Sequence, residues 1–135
     1  MPNYIKEIGI QSSTSVAPTM YHVNSDTANF VNDNTRSLKV TEDHKYTVAK
    51  YTSAGAVTLT IPTLKRNQEV YAFLINTSTS DISVTFSVPP GQQVYYSGLG
   101  TLTSGNFTIE KNSLVEVSAI CLSNGTTNTY FIRIA

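Results

Sequence analysis

Two histidines, His22 and His44, are the residues of this chain whose unperturbed side chains titrate near neutral pH. They lie in separate polar stretches and lack the close spacing that metal-binding histidines usually show. The nine acidic residues are scattered, and only Glu42 and Asp43 are adjacent. A glycosidase needs two carboxylates that face each other across a cleft. Nothing in the sequence favours such a pair, so we expect no catalytic site and no enzymatic activity, although a facing pair stays open at this stage.

Side chains with oxygen or sulfur atoms that could bind a metal ion do not indicate a metal site either. Asp26 and Asp33 stand among asparagines, and their oxygen atoms suit a hard cation such as calcium. Their spacing matches no calcium loop, and turn formation by Asn and Asp explains the same residues. Cys121 is the single cysteine of the chain, which excludes an intrachain disulfide and a cysteine-based zinc site. It continues an apolar alternation that begins at Val115, so we expect it to be buried, and we expect neither a metal nor a cofactor.

Aromatic residues are the remaining candidates for a binding site. The chain has eight tyrosines, five phenylalanines and no tryptophan, and most of them fall in the apolar phase of a predicted strand. Tyr95 and Tyr96 differ because they are adjacent, and adjacent strand residues point to opposite faces of a sheet. One of these two rings must therefore point away from its own core. We interpret that ring as a candidate contact at an interface or a ligand site, with packing under a loop as the alternative.

The balance of charge disfavours two classes of partner. Nine Lys and Arg offset nine Asp and Glu, so net charge attracts neither a nucleic-acid backbone nor an anionic membrane surface. No segment approaches the ~18 consecutive apolar residues of a membrane-spanning helix. Charged residues make up 13% of the chain, about half of the ~25% typical of soluble domains. A weakly charged surface is easily desolvated, which suits a protein that is packed among neighbours.

Residues 38–135 form a succession of short alternating runs separated by turns, which predicts one β domain. The run Val57–Ile61 alternates apolar residues with threonine, as a half-buried strand does. The run Val70–Ile75 has no polar break, which predicts a central strand covered on both faces. Asn124-Gly125 predicts a hairpin turn before the last strand. We expect an all-β fold, an antiparallel β-sandwich that is jelly-roll-like, because a parallel sheet is expected to require crossover helices.

Residues 1–37 are predicted to be an extended N-terminal arm for docking or assembly. Pro18 lacks a backbone donor and confines its segment to an edge or to irregular structure. The Asx-rich stretch that follows cannot bury enough surface to order itself. The arm carries scattered apolar residues that could contact a partner: Tyr4, Ile5, Ile8, Ile10, Met20, Tyr21 and Val23. Its first residues lack the basic and apolar regions of a secretory signal, so we expect synthesis in the cytoplasm.

Four segments of the predicted domain carry a further pattern: Ala56-Val57-Thr58-Leu59-Thr60-Ile61-Pro62, Val70 through Ile75-Asn76-Thr77-Ser78, Ile82-Ser83-Val84-Thr85-Phe86 and Asn112 to Ile120. One strand ends at a proline, a buried strand ends in Asn-x-Ser, and the penultimate strand alternates before a final hairpin. In these features the chain is similar to β-sandwich or jelly-roll modules on tailed-bacteriophage virions, in capsid decoration proteins and fibre proteins. The tryptophan frequent in the last strand of such modules is replaced here by Tyr130 or Phe131.

This resemblance implies a structural protein of a bacteriophage virion. The brevity of the chain favours an auxiliary or decoration protein on the capsid surface, with the arm laid across the major capsid protein, another virion protein or a neighbouring subunit. Self-association into a homo-oligomer stays open. The alternative is a fibre-tip or adhesin module that binds a host glycan or receptor through exposed aromatic rings. A third class, a small β-sandwich enzyme, would require a convergent pair of carboxylates.

Overall fold

Short alternating runs form ten β-strands in the computed structural model, which describes residues 27–98 and 105–135. These described residues contain no helix, and therefore none that is long and apolar enough to cross a membrane. The strands are β1 (Asn29–Phe30), β2 (Ser37–Lys39), β3 (Tyr46–Tyr51), β4 (Val57–Thr60), β5 (Glu69–Asn76), β6 (Ile82–Ser87), β7 (Gln93–Ser97), β8 (Asn106–Ile109), β9 (Ser113–Ser123) and β10 (Asn128–Ile134).

Successive strands from β1 to β9 alternate between two sheets. The six-stranded sheet has the order β1-β3-β5-β9-β10-β7, and the four-stranded sheet has the order β2-β4-β6-β8. β1, β3 and β5 run parallel in the first sheet, and β2, β4 and β6 run parallel in the second. The first six strands therefore wind as a coil between two layers. Each return to a sheet adds the next strand beside the previous one.

The chain then reverses direction in both sheets. β8 pairs antiparallel with β6, and β9 pairs antiparallel with β5. β10 folds back on β9 as a hairpin and pairs in parallel with β7 on its other side. The turn of this hairpin is the predicted Asn124-Gly125, where the Asn124 Oδ1 atom accepts hydrogen bonds from the backbone N–H groups of Thr126 and Thr127. The prediction of a C-terminal hairpin is confirmed.

The all-β fold is confirmed, whereas the prediction of antiparallel pairing throughout is wrong. Five of the eight pairings between described strands are parallel. Parallel neighbours need a long crossover connection, and we expected that connection to be a helix. Here a strand of the opposite sheet supplies it, because a chain that coils between two layers returns to each layer in the same direction. Both sheets are consequently mixed.

One apolar cluster fills the space between the two sheets. Alternate residues of each strand enter it, as the period of two requires. Leu59, Val84 and Ile109 enter from the four-stranded sheet, and Leu74 and Ile132 enter from the six-stranded sheet, each with 2% or less of its surface exposed. Cys121 is fully buried in the same cluster, as predicted, and burial raises the pKa of its thiol.

Asn76 is a fully buried polar residue. Both the nitrogen and the oxygen of its side-chain amide have hydrogen-bond partners. Its Nδ2 group donates to the Ser80 carbonyl at 2.9 Å and to the Ile109 carbonyl at 3.0 Å. Its Oδ1 atom accepts from the Ser78 backbone N–H at 2.9 Å and from the Ser78 hydroxyl at 2.7 Å. The Asn-x-Ser motif at the end of β5 therefore ties the β5–β6 turn to β8 across the two sheets, because buried polar groups need such partners.

The described part of the predicted arm, residues 27–37, is built into the sheets. β1 pairs with β3, and the first residue of β2 pairs with Thr58. Between them, Arg36 donates to the backbone carbonyls of Gly55, Ser53 and Ala54 at 2.9 to 3.0 Å. These hydrogen bonds connect the segment between β1 and β2 to the β3–β4 loop. The predicted arm before residue 27 lies outside the described residues.

The buried Tyr51 makes the stability of this fold depend on pH. Its hydroxyl donates to the Thr35 carbonyl at 2.7 Å, and burial raises its pKa from 10.0 to about 12, with the nearby Arg36 acting in the opposite direction. The folded state thus holds the phenolic proton more tightly than the unfolded state does. The resulting stability is fully present below pH ~10 and is lost as pH rises from about 10 to about 12.

We expect Tyr51→Phe to lower the free energy of unfolding by about 1 kcal/mol at neutral pH, since one hydrogen bond is lost. The variant should also show a weaker loss of stability over the alkaline range. Urea unfolding at several pH values measures both effects, and tyrosinate absorbance follows the titration itself. An alkaline stability profile identical to that of the wild type would contradict this assignment.

Candidate functional site

The two sheets differ in the faces that they turn away from the core. The outward residues of the four-stranded sheet are all polar, and we call this surface the polar face: Ser37, Lys39, Thr58, Thr60, Ser83, Thr85, Ser87, Asn106 and Thr108. The outward residues of the six-stranded sheet are mainly apolar and aromatic, and we call this surface the apolar face: Phe30, Tyr46, Val48, Tyr71, Phe73, Ile75, Tyr95, Leu114, Ile120, Leu122 and Phe131. The same face also carries polar and charged residues, namely Lys50, Glu69, Gln93, Ser97, Glu116, Ser118, Thr129 and Arg133.

Exposure of the apolar face is substantial among the described residues. Phe30 is 74% exposed, Leu114 is 58% exposed, and Phe131 and Leu122 are 41% and 40% exposed. Monomeric proteins rarely leave a contiguous apolar patch larger than a few hundred Å² in water. The contrast with the polar face, where serine and threonine occupy the equivalent positions, identifies the apolar face as the candidate site.

β5 runs through the middle of this face. It lies between β3 and β9, so the predicted central position of Val70–Ile75 is confirmed. Val70, Ala72 and Leu74 point into the core, whereas the residues that alternate with them are only half-buried. The described residues therefore cover one face of this strand, and the run without a polar break has its second apolar side on the surface.

An aromatic cluster occupies the β3–β5 half of the apolar face. The rings of Tyr46 and Tyr71 stack with centroids 5.4 Å apart, and the Phe73 ring lies 6.1 Å from that of Tyr46. The Lys45 ammonium lies 5.7 Å and 5.8 Å from the Tyr46 and Tyr71 ring centroids. A hydrogen bond to the Glu69 carboxylate raises the pKa of Tyr71. The cluster is thus an aromatic surface with a cation at its border.

A second aromatic pair lies at the opposite edge, on β7 and β10. The parallel register places Tyr95 beside Phe131, and their rings stack at 5.8 Å. The Gln93 side-chain amide donates to the Tyr95 hydroxyl at 2.8 Å. Gly98, at φ 90°, follows β7, and a Cβ atom there would collide with the Ile134 carbonyl of β10. The two strands therefore approach each other closely beside this ring pair.

A depression of about 580 Å³ opens beside Tyr95 and Phe131, and its lining comes from β7, β9 and β10 together with Glu69 of β5. The register puts Ser118 of β9 between Tyr71 of β5 and Arg133 of β10, so a small side chain is flanked by large ones. Ser118 is nearly buried and lies at the floor, while Ile120 and Phe131 form an apolar wall. Glu69 and Arg133 supply opposite charges among the lining residues. The depression can accept an apolar group that is flanked by hydrogen-bonding atoms.

Two carboxylates on this face, Glu69 and Glu116, belong to neighbouring strands. Glu69 pairs with Ile120, which lies four residues along β9 from Glu116. That offset separates the Cα atoms of the two residues by about 13 Å along the strand. The surface around them offers apolar contact and hydrogen bonding.

The two adjacent candidate tyrosines point to opposite faces of the sheet. Tyr95 lies on the apolar face and Tyr96 is buried, so the ring that had to point outward is that of Tyr95. Tyr96 instead packs in the core, with its ring centroid 5.2 Å from that of Phe86. The arm residues Tyr4, Ile5, Ile8, Ile10, Met20, Tyr21 and Val23, together with His22 and Asp26, lie outside the described residues. His44 bonds to the Thr41 hydroxyl at 3.1 Å.

No group of three or more His, Cys, Asp or Glu side chains that could hold a metal occurs within residues 27–98 and 105–135. Sequence reasoning missed most of the apolar face, including Phe30, Leu114, Leu122 and Phe131. A signal was present, because these residues are apolar at positions that alternate with the core positions of their strands. In β4 and β6 the same positions hold serine and threonine.

Comparison with known proteins identified no similar protein. No protein-family model matches this chain, and no curated protein or solved structure is significantly similar to it.

A matched pair of substitutions tests whether the apolar face is surface rather than core. Leu74 is fully buried, and Leu114 lies on the neighbouring strand with 58% of its surface exposed. We expect Leu74→Asp to cost several kcal/mol, a large part of the ~5 to 15 kcal/mol of a typical domain. Leu114→Asp should change the free energy of unfolding by about 0.5 kcal/mol or less. Equal melting temperatures for the two variants would contradict the assignment of the faces.

Proposed function

We propose that this protein is a non-enzymatic structural module that packs into a larger protein assembly through its apolar face. The observation that carries the proposal is the contrast between the two outer faces of one small module. Serine and threonine predominate on the polar face, whereas tyrosine, phenylalanine, leucine and isoleucine predominate on the other. Aromatic residues are enriched at protein–protein interfaces. The low charge of the whole chain supports the same role.

The assembly that we propose is a bacteriophage virion, in which the chain is an auxiliary or decoration protein on the capsid surface. The sequence resemblance to virion modules supports this proposal. The two-layer all-β architecture is compatible with it, while the jelly-roll form of such modules would require connections other than the observed coil. The N-terminal arm and the major capsid protein, or another virion protein, are the proposed contact partners.

The test is to purify assembled particles from cells that produce this protein and to quantify the chain in them by mass spectrometry. We expect the wild type at a fixed ratio to the other particle proteins. Phe131→Asp should lower incorporation about tenfold or more, because burying an unpaired carboxylate costs more than the ~1.4 kcal/mol of a tenfold change. Thr85→Asp, which adds the same charge to the polar face, is the matched control and should incorporate normally.

Two results would contradict the proposal. Absence of the wild-type chain from purified particles would remove the virion assignment. Normal incorporation of Phe131→Asp would remove the apolar face as the contact surface, even if the chain were a virion component.

A second candidate function is glycan binding by a fibre-tip or adhesin module. The depression beside Tyr95 and Phe131 favours it, because aromatic rings stack on the apolar faces of sugars and nearby polar groups bond to their hydroxyls. Glu69, Arg133 and Gln93 could supply those bonds. Retention of the wild type on immobilised glycans, lost in Phe131→Ala, would favour this function over packing against protein.

A further inference from the structure

We infer that the apolar face binds the apolar face of a second copy, so that the unit that packs into the assembly is a twofold pair. This inference rests on the proposed function and names the partner at the same surface. A twofold interface uses one surface patch of each copy, so every feature of that patch needs its complement elsewhere on the same patch. The positions of charged and apolar residues on the apolar face meet this requirement.

Two opposite charges lie on either side of the depression. Glu69 of β5 and Arg133 of β10 both line it, and β9 lies between their strands. Glu69 pairs with Ile120, whereas Arg133 pairs with Ser118. Arg133 is thus two strands nearer to β7 and one outward step, which is two residues, further along the direction of β5. At ~4.8 Å between strands and ~6.6 Å per step, the two Cα atoms lie about 12 Å apart.

A twofold axis that passes midway between these two residues, in the plane between two facing copies, exchanges their positions. Glu69 of each copy then lies opposite Arg133 of the other copy, and the pair of copies contains this contact twice. Among the described residues, neither the Arg133 guanidinium nor the Glu116 carboxylate forms a hydrogen bond or an ion pair. Both groups are therefore available to a partner on this face.

A second pair of residues has the same separation in the same sense. Tyr46 of β3 pairs with Tyr71, and Tyr71 pairs with Ser118, which lies one step along β9 from Glu116. The axis therefore places Tyr46 opposite Glu116 of the second copy. The Lys45 ammonium lies 5.7 Å from the Tyr46 ring centroid and supplies the opposite charge there.

Two further pairs with this separation are apolar. Leu122 and Tyr95 lie on either side of β10, and Phe30 and Ile75 lie on either side of β3. In the plane of the sheet, the midpoints of all four pairs lie on one line, which is perpendicular to the direction that joins each pair. One twofold axis along that line therefore places apolar residues opposite apolar residues and charges opposite charges of the other sign.

The number of residues on the face also suits a second copy. Eleven apolar or aromatic residues and eight polar or charged residues make nineteen in all. Each side of a stable interface contributes ~20 to 30 residues. The contact of two apolar faces is thus close to the lower end of that range.

Reversal of the charged pair in the full chain tests the interface by analytical ultracentrifugation. We expect the wild type to be a dimer. Arg133→Glu and Glu69→Arg each place like charges opposite each other twice, so each should raise the dissociation constant of its homodimer by at least about tenfold. Thr85→Glu on the polar face is the matched control and should dimerise like the wild type. The melting temperature of each variant verifies that it folds.

An equimolar mixture of the two reversed variants gives the sharper result. A dimer with one Arg133→Glu chain and one Glu69→Arg chain has opposite charges at both contacts, so we expect the mixture to dimerise. Native mass spectrometry should identify this mixed dimer by its mass.

Three results overturn the inference. The first is a wild type that stays monomeric at every concentration, the second is homodimerisation of both reversed variants like that of the wild type, and the third is a mixture that stays monomeric. If Phe131→Asp nevertheless loses incorporation into particles, the proposed function stands and the second copy alone is wrong as the occupant. If the dimer forms as expected but the chain is absent from particles, the interface stands and the virion assignment is wrong.

Discussion

The alternation of strands between two layers is the constraint on which the rest of this structure depends. A strand that is followed by a strand in the opposite sheet returns to its own sheet in the same direction, so parallel ladders form without helices. Each strand then has one side that faces the other sheet and one side with no layer of its own chain above it among the described residues. The period of two assigns alternate residues to these sides. Core and surface are therefore decided residue by residue along every strand.

Because of this alternation, the residue types on the outer face of each sheet show how that face differs from the core. Inside the coil, both sheets contribute aliphatic and aromatic side chains to one cluster. Outside it, the four-stranded sheet carries hydroxyl-bearing residues in cross-strand pairs such as Thr58 with Thr85. Cross-strand threonine pairs stabilise a sheet surface that is exposed to water. The six-stranded sheet instead pairs Tyr46 with Tyr71 and Phe131 with Tyr95. The same backbone geometry thus supports a polar outer surface on one sheet and a mainly apolar outer surface on the other.

Much of the local structure could be predicted from the sequence. The alternation of Val57–Ile61, the central place of β5, the hairpin at Asn124-Gly125 and the burial of Cys121 follow from side-chain period and turn chemistry, which are local properties. The direction of pairing could not be predicted, because an alternating strand has the same pattern in a parallel and in an antiparallel ladder. Direction depends on which distant strands become neighbours, and that information is not local.

The apolar face shows the same limit. A run without a polar break, such as Val70–Ile75, indicates apolar surface on both sides of a strand. It does not show whether a layer of the same chain or a partner covers the second side. The described residues place no layer over the half-buried Tyr71, Phe73 and Ile75. The strand predicted to be covered on both faces is therefore covered on one face only by the described residues.

Nuclear Overhauser contacts between backbone protons of neighbouring strands test the coil most directly. We expect the parallel pattern between Thr47 and Ala72 in the six-stranded sheet and between Thr58 and Thr85 in the four-stranded sheet. We also expect contacts between the ring protons of Tyr95 and Phe131. An antiparallel pattern between β3 and β5, or between β4 and β6, would contradict the coil and with it the separation of the polar face from the apolar face.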